Sequence, residues 1–174
     1  TYLTLGRMLL ERWGMSADHD HTRPAVAVMD RDREDLASAL RDAGFGGGEY
    51  AVVVPGATYG QAKSWPSEKY SALVKALSAE IPVVLGGSAG ERGLCERIAG
   101  GAANVTNLAG ATGLGDFIAL LSGARVVVAN DSGAPHIAAS MGVPVVVVFG
   151  STSPTWTAPL GDDVRVISRP VHCS

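Results

Sequence analysis

Four loops of this 174-residue chain set glycines beside hydroxyl, amine or carboxylate side chains directly after short apolar runs. That combination suits a phosphorylated ligand, because glycine lets backbone amides approach closely and polar side chains complete the cradle. The first loop, Pro55 to Pro66, reads PGATYGQAKSWP. It offers Gly56, Gly60, the Thr58 hydroxyl with Tyr59 beside it, and Lys63, a compact cation suited to phosphate. The spacing is neither a Walker motif nor the dinucleotide fingerprint, so on local spacing alone a surface loop with a solvated lysine is the favoured account.

The loop Asn130 to His136, NDSGAPH, carries the strongest arrangement. Asp131 or Ser132 can cap the helix that follows, and Pro135 is tolerated in a first turn. The free amides of that turn, with the helix dipole, make an anion site. An ordinary cap with His136 as a partly buried polar residue is the competing account. Gly86 to Glu91, GGSAGE, supplies Ser88 and Glu91, the latter either a first-turn helix charge or an acceptor for ribose hydroxyls. Gly150 to Trp156, GSTSPTW, adds hydroxyls but reads equally as a turn.

Other chemistry has less support. His19 and His21 flank Asp20 without a third histidine or a cysteine nearby, so no metal site is expected. Ser132 and Ser153 lack a nucleophile-elbow pattern, and Cys95 sits among apolar helix residues as a small core side chain. Lys plus Arg is 14 against 17 acidic residues, a net charge of −3 with no basic block, which argues against nucleic acid as a partner. The apolar share of 47%, with a mean hydropathy of +0.19, describes a buried core, yet no run approaches the length of a spanning helix. Two cysteines make no disulfide framework, so a soluble domain in a reducing cytoplasm is expected.

The elements that must hold these loops follow a regular pattern. Apolar runs at Tyr50–Val54, Pro82–Leu85, Asn104–Asn107, Arg125–Ala129, Val143–Phe149 and Val164–Ile167 alternate with helical patterns. The helices are expected at Ser67–Ala79, Ala89–Ile98, Leu114–Leu121 and Pro135–Met141. Strands this apolar, joined by helical crossovers, imply an α/β domain: a Rossmann-like parallel sheet with helices on both faces. Its ligand belongs beyond the carboxyl ends of the strands, where the four loops lie. Helices are also expected over Tyr2–Trp13 and Asp32–Ala43, with a break at His19–Pro24. Residues 1–48 thus read as the tail of a preceding domain with helix and linker, and 49–174 as the sheet domain.

Together, PGATYGQAKSWPSEKY (Pro55–Tyr70), NLAGATGLGDFIALLSGARVVVANDSGAPHIAASMGVP (Asn107–Pro144) and VFGSTSP (Val148–Pro154) resemble, in order and spacing, the family 9 glycosyltransferases. The resemblance runs over roughly Ala51 to Cys173 and is closest to the ADP-heptose:lipopolysaccharide heptosyltransferase II group. It implies the carboxyl-terminal, donor-binding half of a two-domain GT-B enzyme. By the same resemblance, Lys63 and Asp131 carry the catalytic role, Lys63 offsetting charge as ADP leaves. Thr58, Tyr59, Ser132, Gly133 and His136 bind the donor, with Ser88 or Glu91 near the ribose and Thr112 or Ala111 near the adenine. The implied reaction is inverting, metal-independent transfer of heptose from ADP-heptose to the inner core of lipopolysaccharide, with no cofactor beyond the donor substrate. The family's general base is an aspartate of the amino-terminal domain, so this chain alone is expected to bind donor but to transfer poorly. Membrane contact is expected to be peripheral at most, at the inner face of the inner membrane. A non-catalytic nucleotide-binding module and another nucleotide-sugar enzyme such as an epimerase are the alternative readings.

Overall fold

Valine-rich runs without polar alternation, such as AVVV at Ala51–Val54 and VVVVF at Val145–Phe149, can be buried on both faces, and among the described residues six strands pair side by side. The computed structural model describes residues 26–56 and 64–168. Along the chain come helix α1 (Asp30–Asp42), strand β1 (Ala51–Val54), α2 (Ser67–Leu77) and β2 (Val83–Leu85). A 3₁₀ turn (Ala89–Glu91) runs into α3 (Arg92–Ala99), followed by β3 (Val105–Asn107), α4 (Leu114–Ser122) and β4 (Val126–Asn130). Then come α5 (Gly133–Ser140), β5 (Val145–Phe149), the one-turn α6 (Pro154–Thr157) and β6 (Val164–Ser168). The expected helix at Tyr2–Trp13, the break at His19–Pro24 and Cys173 lie outside the described residues.

All neighbouring strands are parallel, in the order β3-β2-β1-β4-β5-β6. The chain therefore begins in the middle of the sheet, winds outward one way, and returns to wind outward the other way. The two directions part between β1 and β4, which pair from Ala51↔Val126 to Val54↔Ala129. At such a switch point the loops after the two strands diverge and leave a crevice.

Successive strand residues feed opposite layers. Val52, Val54, Val127, Ala129 and Val147 pack with Leu36 of α1, Leu120 of α4 and Ala138 of α5. Val53, Val83, Leu85 and Val128 pack with Tyr70 and Val74 of α2 and with Cys95 and Ile98 of α3. Helices thus cover both faces, as the apolar pattern requires, and each fully buried valine contributes roughly 1.5–3 kcal/mol. Helix α1 lies in the segment that the sequence sets apart at residues 1–48, and it lends Leu36 to the same core as β1 and β4.

Three local details depart from expectation. The helix expected over Ala89–Ile98 divides, because the Glu91 carboxylate turns back to accept from both the Ser88 amide and the Ser88 hydroxyl, tightening the entry into a 3₁₀ turn. Helix α5 starts at Gly133, two residues before the expected Pro135, since proline fits within a first turn. Residues Pro154–Thr157, expected as a plain turn, form one helical turn beginning at a proline.

Candidate functional site

The crevice between β1 and β4 opens into a cavity of about 370 Å³. Its walls come from four connections. The end of β1 gives Val54 and Gly56, the loop after β2 gives Gly87, Ser88 and Glu91, the segment before α4 gives Thr112, Gly113 and Leu114, and the loop after β4 gives Ser132 and Gly133. Phe117 and Ala134 complete it. Five residues singled out by sequence, Ser88, Glu91, Thr112, Ser132 and Gly133, thus meet in one place although they span 46 positions from first to last.

Glu91 is fixed by its own turn. Its Oε2 accepts from the Ser88 amide at 2.6 Å and the Ser88 hydroxyl at 2.7 Å. The helix-charge and ribose-acceptor accounts are compatible here, because one oxygen closes the turn while the residue also lines the cavity. The carboxylate lies directly against the Cα of Gly56.

Ser132 is the N-cap residue of α5 and lines the cavity, and its Oγ is buried with no hydrogen-bond partner among the described residues. A buried hydroxyl without a partner is destabilising, so a ligand oxygen placed there would satisfy it. The amides of Gly133 and Ala134 lie in the same first turn, which has no intrahelical acceptors for them, and the positive end of the helix dipole adds to the field. Hydroxyl, free amides and dipole together form a seat for an anion.

Asp131 is only 8% exposed, and its Oδ2 accepts from Thr152 Oγ1 at 2.6 Å and from Thr157 Oγ1 at 3.3 Å. It therefore fastens the connection after β5 to the loop after β4, which gives Thr152, one of the hydroxyls of Gly150–Trp156, a structural role. Asp131 does not line the cavity, and His136 is exposed on α5, also outside the lining. Thr58, Tyr59 and Lys63 lie outside the described residues. Ala111 is exposed next to the lining residue Thr112.

Sequence reasoning missed two kinds of residue. Leu114, 70% exposed, and Phe117 give the cavity an apolar wall near Thr112, but at helical spacing they look like core positions. Asn130, fully buried at the end of β4, bonds to the flanks of the β1–α2 connection. The signal for it was a polar side chain closing an otherwise apolar strand, VVVAN, where burial demands partners. Cys95 takes no part in the site. Its thiol lies under the Gly86 carbonyl and is pushed up to about 12, by burial first and then by the charges of Glu91 and Glu96.

A doubly wound parallel sheet with an anion seat and a carboxylate converging at its switch point defines an α/β domain of the Rossmann-like class. The match to the family described as Glycosyltransferase family 9 (heptosyltransferase) runs over residues 6–174, and the chain belongs to that family. The chain is 40% identical over 119 residues to lipopolysaccharide heptosyltransferase 2 of Escherichia coli K12, an alignment covering 65% of this chain and 34% of that protein. Among solved structures it is similar to E. coli ADP-heptose lps heptosyltransferase II, with a TM-score of 0.72 and 33% identity over 83% of this chain and 45% of that one. It is also similar to E. coli heptosyltransferase WaaC with ADP, with a TM-score of 0.70 and 28% identity over 94% of this chain and 48% of the other. The latter enzyme has also been solved with ADP-2-deoxy-2-fluoro heptose. The fold is therefore that of the Rossmann-like, carboxyl-terminal half of a GT-B glycosyltransferase. The chain spans about a third of the length of the curated relatives it matches.

Proposed function

We propose that this chain binds ADP-heptose as the donor half of an inverting heptosyltransferase acting on the inner core of lipopolysaccharide. The observation that carries the reading is the buried Ser132 hydroxyl at the start of α5, which has no hydrogen-bond partner among the described residues, in a cavity shared with Glu91. The anion seat suits the diphosphate, Glu91 the ribose hydroxyls, and the wall of Thr112, Leu114 and Phe117 the purine face. The relatives solved with ADP and with a fluoro-heptose analogue of the donor support the choice of nucleotide.

In the transfer, an acceptor hydroxyl attacks the anomeric carbon from the face opposite ADP, the bond from that carbon to the diphosphate oxygen breaks, and the acceptor's proton passes to a base. Negative charge grows on the departing diphosphate. The fixed dipole of α5 and the amides of Gly133 and Ala134 face that charge without reorganising, the form of stabilisation that usually dominates such steps. Lys63, in the loop after β1, adds a cation, and no metal or further cofactor is invoked. Asp131 acts by anchoring the segment that carries Thr152 and Thr157, and through it the rim nearest the sugar. A lipid-borne acceptor of this kind fits a protein that works in the cytoplasm at the inner face of the inner membrane. Among the described residues no helix is long and apolar enough to cross a membrane.

Calorimetric titration with ADP, ADP-heptose and UDP in parallel, on protein shown by circular dichroism to be folded, tests this. Binding of both adenine ligands with UDP much weaker is expected. Equal binding of UDP, or none of the three, would overturn the assignment.

A further inference from the structure

Asn130 closes β4 with a fully buried side chain in a strand otherwise built of valine and alanine. Its Oδ1 accepts from the Tyr70 hydroxyl at 2.9 Å and the Trp65 amide at 3.0 Å, and its Nδ2 donates to the Pro55 carbonyl at 2.6 Å, with the Gly56 carbonyl at 3.5 Å. The partners fix the amide's orientation, since a flipped group would face two donors with its NH₂ and a carbonyl with its oxygen. The ring of Trp65 packs edge-on against Tyr70 at 5.1 Å, so the Trp65 flank is held by packing as well. One side chain of β4 therefore grips both ends of the β1–α2 connection, at Pro55–Gly56 and at Trp65. The next residues in its own chain are Asp131, Ser132 and Gly133.

These attachments bear on the cavity from both sides. Gly56 forms one wall, with the Glu91 carboxylate against it, and Ser132 and Gly133 form another. Asn130 is not itself in the lining. Two of its partners, the Trp65 amide and the Pro55 carbonyl, are backbone groups that no substitution can make apolar, so this one amide both satisfies them and fixes the two flanks relative to β4. We propose that Asn130 is a positioning residue for donor binding: it sets the gap between Gly56 and the start of α5, so that one diphosphate meets both walls. This rests on the cavity being the nucleotide-sugar site.

Asn130→Asp keeps the acceptor for Trp65 and Tyr70 but turns a carboxylate oxygen on the Pro55 carbonyl, releasing that flank. Tyr70→Phe is milder, removing one bond to Oδ1 and leaving the other contacts. Titration with ADP separates positioning from folding, because misplaced walls weaken the dissociation constant at unchanged stoichiometry, whereas unfolding lowers the stoichiometry. For Asn130→Asp a loss of about tenfold, and for Tyr70→Phe about threefold, is expected at wild-type stoichiometry. Wild-type affinity in Asn130→Asp, with only the stoichiometry or melting temperature reduced, overturns the proposal. If that variant does not fold, wild-type affinity in Tyr70→Phe overturns it. Failure of the unaltered protein to bind ADP is a separate result, which removes the donor-site reading itself.

Discussion

The Glu91 carboxylate occupies the space that a side chain at position 56 would need. A Cβ placed on Gly56 would lie 1.5 Å from Glu91 Oε1. The absence of a side chain on the loop after β1 is thus what lets a carboxylate from the loop after β2 lie across it and line the cavity.

Gly56→Ala must push that carboxylate aside. The atom in the way is the end of a long side chain that can rotate aside once its bonds to Ser88 break, so the overpacking cost itself falls at the lower end of the range, about 1 kcal/mol. The proposed donor site should lose more, because the bonds to Ser88 and the carboxylate proposed to meet the ribose are displaced together. Thermal melting and ADP titration read the two effects, and undiminished ADP affinity in the variant would show that Glu91 takes no part in holding nucleotide.

Thr152→Val removes the shorter of the two hydroxyl contacts to Asp131. That bond is charge-assisted and its acceptor is nearly buried, so stability should fall by roughly 1.5–3 kcal/mol in urea unfolding. A double-mutant cycle with Asp131→Ala isolates the bond. Strictly additive effects in that cycle would mean the contact contributes nothing.

Lys63 precedes Trp65 by two residues, and the Trp65 amide is held by Asn130. Lys63→Ala should weaken ADP binding by one lost charge-assisted contact, roughly 1.5–3 kcal/mol. The deficit should shrink as salt is added, since screening weakens the contact in the unaltered protein too. An unchanged affinity would take Lys63 out of the site.

Cys95 imposes a pH dependence on stability. Its folded pKa, pushed up to about 12, lies above that of an exposed thiol, roughly 8.5, so the folded state keeps its proton when the unfolded state has lost it. The contribution is complete below about pH 8.5 and is lost as pH rises toward 12. Buried Tyr70 and Tyr50, also raised, act in the same direction at higher pH. Urea unfolding from neutral to alkaline pH should show falling stability, with a shallower slope in Cys95→Ala. Identical slopes in the two proteins would contradict this.

Much of this architecture is legible in the sequence because strands such as Ala51–Val54 and Val145–Phe149 are apolar without interruption and are separated by amphipathic stretches, a pattern that fits crossover helices. The cavity was half legible. Ser88, Glu91, Ser132 and Gly133 sit in loops whose composition announces them, and the strand-end rule places those loops together. Asn130, Leu114 and Phe117 gave no such notice. Their roles depend on which elements become neighbours across the β1–β4 gap, and local periodicity carries no information about that. The engagement of Asp131 by Thr152 and Thr157 was likewise hidden, since it joins two loops through side chains 21 and 26 positions apart.

The placement of β4 beside β1 also governs when the cavity comes into being. Pro55 and Asn130, which meet across that seam, are 75 positions apart in the chain, whereas β1 pairs with β2 and β2 with β3, each the strand next in sequence. Pairings between distant segments carry the largest closure entropy and form slowly. Until this one forms, the cavity has walls on one side only. The proposed nucleotide would therefore recognise only chains that have completed the seam, and its binding free energy would be added to that late step and to no earlier one. The junction that delays folding is thus also where a ligand can lock the finished fold.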